Sequence, residues 1–159
     1  MLTINKPEPT EQFCRNSILI VEDSPDHRFL IKQAVEKCMP GIHAVGAENL
    51  QEALTYLASD GQTPGRRFLN LILLDLYLPT REEGLSALKK FKDYLAEQYQ
   101  PTLPVVMFSY SELKEDIEAC YAQGANAYIT KSNDQRDWIG FFDNIRGFWL
   151  ETVSMPPRL

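Results

Sequence analysis

Five polar side chains stand at the ends of short apolar runs. Glu22 and Asp23 follow Ile18-Leu19-Ile20-Val21, and Asp75 follows Leu71-Ile72-Leu73-Leu74. Ser109 follows Val105-Val106-Met107-Phe108, and Lys131 follows Tyr128-Ile129-Thr130. The run before Asp75 and the Leu76-Tyr77-Leu78 that follows describe a strand apolar on both faces. A carboxylate there is costly without a metal, a cation or hydrogen-bond donors.

Gathered in one place, these groups suit phosphoryl transfer. Three clustered carboxylates repel one another and raise the pKa of at least one unless a cation neutralises them. Mg²⁺ fits, because it takes one or two carboxylates, several waters and phosphate oxygens. Asp23 is expected as a direct ligand, Glu22 as a water-mediated one, and Asp75 as a shared one. The backbone carbonyl of Tyr77, two residues past Asp75, is a candidate third protein ligand. Asp75 is expected to attack phosphorus as the carboxylate nucleophile and so to be the phosphoacceptor. Ser109 can donate a hydrogen bond to one phosphoryl oxygen and Lys131 can neutralise another. Taken singly, Asp23 would be a helix-opening acid, Ser109 a turn residue and Lys131 a solvated charge. Their joint placement at four strand ends argues for a shared site.

The elements that must position them alternate. Ser17–Val21, Ile42–Gly46, Phe68–Leu74, Pro104–Phe108 and Ala127–Thr130 read as strands. Ser24-Pro25 opens a helix to about Cys38 as cap and first helical residue, with Phe29, Leu30, Ala34, Val35 and Cys38 at apolar spacing. Asn49 with Glu52 makes a capping box for a second helix to about Ala58, followed by a polar loop, Ser59 to Arg67. A third helix is expected over about 84–98, with Leu85, Leu88, Phe91 and Leu95 on one face. Ser111 is expected to cap a fourth, stopped by Gly124, and a fifth is expected from about Asn133 to Glu151. Five strands alternating with five helices imply an α/β fold, a three-layer doubly wound parallel sheet with helices on both faces. Ligands in such sheets bind outside the carboxyl ends of the strands, where the five polar groups fall.

The chain has 159 residues, a net charge of -6 and a pI near 4.9. That suffices for one domain and argues against a general affinity for nucleic acid or an anionic membrane. Residues 1–16, with Pro7 and Pro9, read as a flexible lead-in, 17–151 as the domain and 152–159 as a short tail. Eight residues after Glu151 leave no room for a DNA-binding output module, so output is expected through protein–protein interaction. No apolar stretch approaches the ~20 residues of a membrane span, and the N-terminus lacks the apolar core of a signal peptide. Cys14, Cys38 and Cys120, odd in number and without CxxC spacing, read as reduced thiols of a cytoplasmic protein. His27 and His43 lack a neighbouring metal-type residue and read as structural or solvated. No glycine-rich phosphate loop is present. Trp138, Phe141, Phe142, Ile145, Phe148 and Trp149 exceed the single stripe a covering helix needs, which points to a homodimer through the C-terminal region.

The segments ILIVEDS, LILLDLYLP, PVVMFSYS and AYITKS together resemble the receiver domain of two-component response regulators, over about residues 17–150. The resemblance implies the flavodoxin-like strand order 2-1-3-4-5. It implies a sensor histidine kinase as phosphodonor, a receiver that assists its own phosphorylation and dephosphorylation, and a switch in which Ser109 moves toward the phosphate while Tyr128 turns inward. Three departures stand out. Ser132 replaces the proline, often cis, that usually follows the lysine. The segment Pro79 to Gly84 looks one residue longer than usual, and Tyr110 stands where a small residue is common. The stretch Phe148 to Pro156, with Thr130-Lys131-Ser132, is similar to single-domain regulators that pair with bacterial phytochrome kinases. A haloacid-dehalogenase-type phosphatase also uses a strand-end aspartate but needs a second acid where Tyr77 stands. A receiver fold acting without phosphate would be favoured by loss of the acidic pair, Lys131 or Asp75, all of which are present.

Overall fold

The computed structural model describes residues 16–60, 68–98 and 102–148. Five strands, β1 (Asn16–Val21), β2 (His43–Ala47), β3 (Phe68–Leu74), β4 (Val105–Ser109) and β5 (Ala127–Thr130), form one parallel sheet. Its order is β2-β1-β3-β4-β5. The helices between and after them are α1 (Pro25–Cys38), α2 (Leu50–Asp60), α3 (Arg81–Glu97), α4 (Lys114–Ala122) and α5 (Arg136–Ile145).

Alternation along the strands divides the core into two halves. Leu19, Val21, Ile72, Leu74, Val105 and Met107 pack with Ala53, Ala87, Leu88, Phe91, Leu95 and Cys120 from α2, α3 and α4. Ile18, Ile20, Leu71, Leu73, Val106 and Phe108 face the other way, onto Ile31 and Val35 of α1 and Trp138, Phe142 and Ile145 of α5. Each large apolar side chain so buried contributes roughly 1.5–3 kcal/mol. With helices on both faces, only the strand ends remain open for polar work, and the register sets Val21 beside Leu74, Leu74 beside Met107, and Ser109 beside Thr130.

Several expected boundaries move. α3 begins at Arg81 rather than 84, because Thr80 caps it by accepting the Glu83 amide at 3.2 Å. The segment Pro79 to Gly84 is therefore mostly the first helical turn. Gly84 is required there: a Cβ would stand 1.4 Å from the Leu76 carbonyl oxygen. Ser111 is not the cap of α4, which starts at Lys114 with Leu113 at the cap position and no side-chain cap bond. The Ser111 hydroxyl instead donates to Asp116 and accepts the Leu113 amide. Phe29 points outward at 59% exposure and Ile31 takes its place in the core. Gly124 ends α4 with a positive φ of 97°. Other expectations hold: Ser24 accepts the His27 amide with Pro25 opening α1, and Asn49 accepts the Glu52 amide at 2.9 Å. α5 starts at Arg136, three residues later than expected, and its expected end at Glu151 lies outside the described residues. The lead-in to residue 15, the loop from 61 to 67, Cys14, Trp149 and the tail 152–159 also lie outside them.

Candidate functional site

Glu22, Asp75 and Lys131 are each anchored by a backbone hydrogen bond that carries the sheet ladder a step past its strand. The Glu22 amide donates to the Ala47 carbonyl at 3.0 Å, and the Asp75 amide to the Val21 carbonyl at 3.0 Å. The Lys131 amide donates to the Ser109 carbonyl at 2.7 Å. Because these bonds lie at the carboxyl ends of neighbouring strands, side chains more than fifty residues apart in sequence converge.

Glu22, Asp23 and Asp75 each offer a carboxylate oxygen, and these oxygens lie within 4.8 Å of one another. Lys131, buried, donates from Nζ to Glu22 Oε2 at 2.8 Å and to Asp75 Oδ2 at 3.3 Å. The same ammonium lies 5.4 Å from the Phe108 ring centroid and 5.1 Å from that of Tyr110. Burial, then the neighbouring Asp75, pushes the Glu22 carboxyl up to about 7, against the opposing pull of Lys131. The lysine thus only partly compensates the carboxylate charge. Hard oxygen donors in this density are the set that a hard divalent cation takes.

Ser109 is fully buried, and its hydroxyl accepts the Ser111 amide at 3.4 Å. The Asp75 carboxylate accepts the Tyr77 amide at 3.3 Å. A cavity of about 480 Å³ opens over Asp75, lined by Tyr77, Ser109, Tyr110, Ser111, Glu112 and Leu113. Tyr128 packs half-buried against the core and its hydroxyl donates to the Ser111 carbonyl at 2.7 Å. Ser132 organises the β5–α5 loop: its hydroxyl donates to Asp137 and accepts the Asp134 amide, while its carbonyl accepts the Trp138 indole N–H at 2.9 Å.

All five polar residues singled out at strand ends therefore meet at one edge of the sheet. Two contributors were missed. His27, read as structural or solvated, brings Nδ1 to 3.9 Å from Glu22 Oε1, and its ring sits 5.8 Å from that of Tyr110. One turn into a helix that opens beside Glu22, it was within reach on helical spacing alone. Asp116 accepts from Arg81, Tyr77 and Ser111 at the cavity rim, and no local pattern marks it out.

The architecture is that of an α/β receiver, and the comparisons with known proteins agree. The family model of the response regulator receiver domain matches residues 18–140, and the chain belongs to that family. The response regulator Rcp1 of Synechocystis sp. is 31% identical over 141 residues, which are 87% of this chain and 92% of that protein. The crystal structure of the phosphorylated cyanobacterial phytochrome response regulator RcpA superposes with a TM-score of 0.72 at 31% identity, covering 89% of this chain and 98% of that one. The Mn²⁺-bound form of Rcp1 superposes with a TM-score of 0.69 at 30% identity, covering 89% and 99%. No helix among the described residues is long and apolar enough to cross a membrane.

Proposed function

We propose that this receiver domain is a Mg²⁺-dependent phosphoacceptor in two-component signalling, phosphorylated on Asp75 by a sensor histidine kinase. The observation that carries the reading is the convergence of Glu22, Asp23 and Asp75 within 4.8 Å, with the Lys131 ammonium bonded to two of them. Asp23, Asp75 and the Tyr77 carbonyl would hold Mg²⁺, with Glu22 acting through water. The ion would supply positive charge to the carboxylates and the phosphoryl oxygens.

A free Asp75 carboxylate oxygen attacks phosphorus, and the P–N bond to the donor imidazole breaks with its electron pair returning to the nitrogen. Lys131 turns from Asp75 to a phosphoryl oxygen, which needs only a small movement of an ammonium already in the site. The Ser109 hydroxyl donates to another oxygen. That movement draws on the Ser109–Ser111 bond, and Ser111 carries the Tyr128 contact, so charge at Asp75 reaches an aromatic on β5. Hydrolysis of the acyl phosphate by water resets the domain.

Similarity to the phytochrome regulators supports a phytochrome-like kinase as donor. Output runs through protein–protein contact in the cytoplasm, without nucleic acid or membrane. Phe148, 55% exposed, supports a homodimer through the C-terminal region. Sedimentation equilibrium showing only monomer at high concentration, with and without beryllofluoride, would remove the dimer. The phosphoacceptor reading is tested by Asp75→Asn: acetyl phosphate and Mg²⁺ should add one phosphoryl group to the parent and none to the variant. Labelling of the variant at the parent level would refute it.

A further inference from the structure

Two carboxylates are buried among the described residues, Glu22 and Asp116, and the phosphoryl chemistry uses only the first. Asp116 sits in the first turn of α4, at 2% exposure. It accepts the Arg81 Nε–H at 2.5 Å, the Tyr77 hydroxyl at 3.0 Å and the Ser111 hydroxyl at 2.5 Å. Burial alone would raise its pKa, but the bonds from Ser111, Arg81 and Tyr77 outweigh it and hold the carboxyl below its ordinary range. Asp116 is therefore a fully bonded anion at the hub of three segments: the β3–α3 loop, the start of α3, and the β4–α4 loop.

Two of its partners, Tyr77 and Ser111, line the cavity over Asp75. Tyr77 is 40% exposed, and its hydroxyl is tied to Asp116. Ser111 in turn touches both switch residues, its amide on Ser109 and its carbonyl on Tyr128. One carboxylate thus ties the loop after the acceptor to the loop that carries the switch.

We propose that Asp116 is a positioning residue that clamps these two loops together, holding Tyr77 across the approach to Asp75 and limiting the entry of water to the phosphoryl group. It rests on Asp75 being the phosphoacceptor. The clamp lengthens the life of the phosphorylated state without touching the reacting atoms. Opening it costs hydrogen bonds to a charged acceptor, each worth about a tenfold change or more in an opening equilibrium.

The test labels the full chain with acetyl phosphate, removes the donor and follows loss of phosphate with Mg²⁺ present. Asp116→Asn should lose phosphate about tenfold faster than the parent, as expected for one such bond. Tyr77→Phe, which keeps the ring and the backbone carbonyl, should lose it several-fold faster. The double variant should be no faster than Asp116→Asn alone, because both changes break one contact. A role in stability alone would lower the melting temperature and leave decay far below that temperature unchanged. Decay at the parent rate in folded Asp116→Asn overturns the clamp. If that variant does not fold, Tyr77→Phe decides, and decay at the parent rate there overturns it. A parent that takes no label overturns the phosphoacceptor reading as well, whereas a labelled parent with unaltered variants overturns only the clamp.

Discussion

Glu22 makes the stability of the metal-free protein fall as pH rises, and Glu22→Gln should flatten that fall. The folded carboxyl is raised from 4.5 to about 7, by burial first and by Asp75 next, and the side chain is only 2% exposed. A carboxyl raised in the folded state binds more protons there than in the unfolded chain over that interval, so folding weakens as pH rises through it. Below 4.5 the group contributes no penalty, and above about 7 the penalty is complete. At about 1.4 kcal/mol per pH unit it totals about 3 kcal/mol, most of which falls between about pH 5 and about pH 8. Urea unfolding in EDTA at those two pH values, on parent and Glu22→Gln, reads the Glu22 titration together with its coupling to Asp75. The parent should lose about 2 to 3 kcal/mol more than the variant on going to the higher pH. Mg²⁺ should stabilise the parent more at the higher pH, where it no longer competes with a proton. Parallel pH profiles in the two proteins would refute the assignment of the raised carboxyl to Glu22.

Lys131→Ala should cost on the order of 3–5 kcal/mol in EDTA, because it leaves two near-buried carboxylates facing each other, and Mg²⁺ should recover part of that loss. Its response to beryllofluoride, read by fluorescence or NMR, should be weakened while Mg²⁺ binding is largely spared; a full response would remove Lys131 from the switch. Phe142→Ala should lower stability by about 3–5 kcal/mol through the cavity left under α5, seen as a lower urea midpoint at an unchanged slope. Gly84→Ala should displace the β3–α3 loop and reduce phosphorylation as well as stability, since the new methyl meets the Leu76 carbonyl. Parent-like phosphorylation in that variant would show that the loop tolerates the shift.

Four of the five strands were legible because their apolar runs, all but that of β2, meet a charged or hydroxyl residue that also marks the site. Glu22, Asp23, Asp75, Ser109 and Lys131 were readable for this reason, and a parallel sheet needs no further information to bring them together. Phe29-Leu30-Ile31 is a contiguous apolar triplet, so helical phase alone did not decide which member faces the sheet; packing against Phe108 and α5 selects Ile31. The early start of α3 was legible in Thr80, an ordinary N-cap, but Arg81-Glu82-Glu83 looked like a charged loop. Asp116 was not legible, because its three partners come from separate segments and an acid in a first helical turn has an ordinary explanation in the helix dipole. Ser111 has the side chain of a helix cap, but the buried Asp116 carboxylate competes successfully for its hydroxyl.

If Asp75 carries the phosphoryl group, the location of that group can be read chemically. An aspartyl phosphate is reduced by borohydride to homoserine, so phosphotransfer from a sensor histidine kinase in Mg²⁺, followed by reduction and peptide mapping, identifies the acceptor. Homoserine should be found at position 75 and nowhere else, and its formation should be abolished by EDTA. Homoserine at Asp23 or another acid, with Asp75 intact, would contradict it.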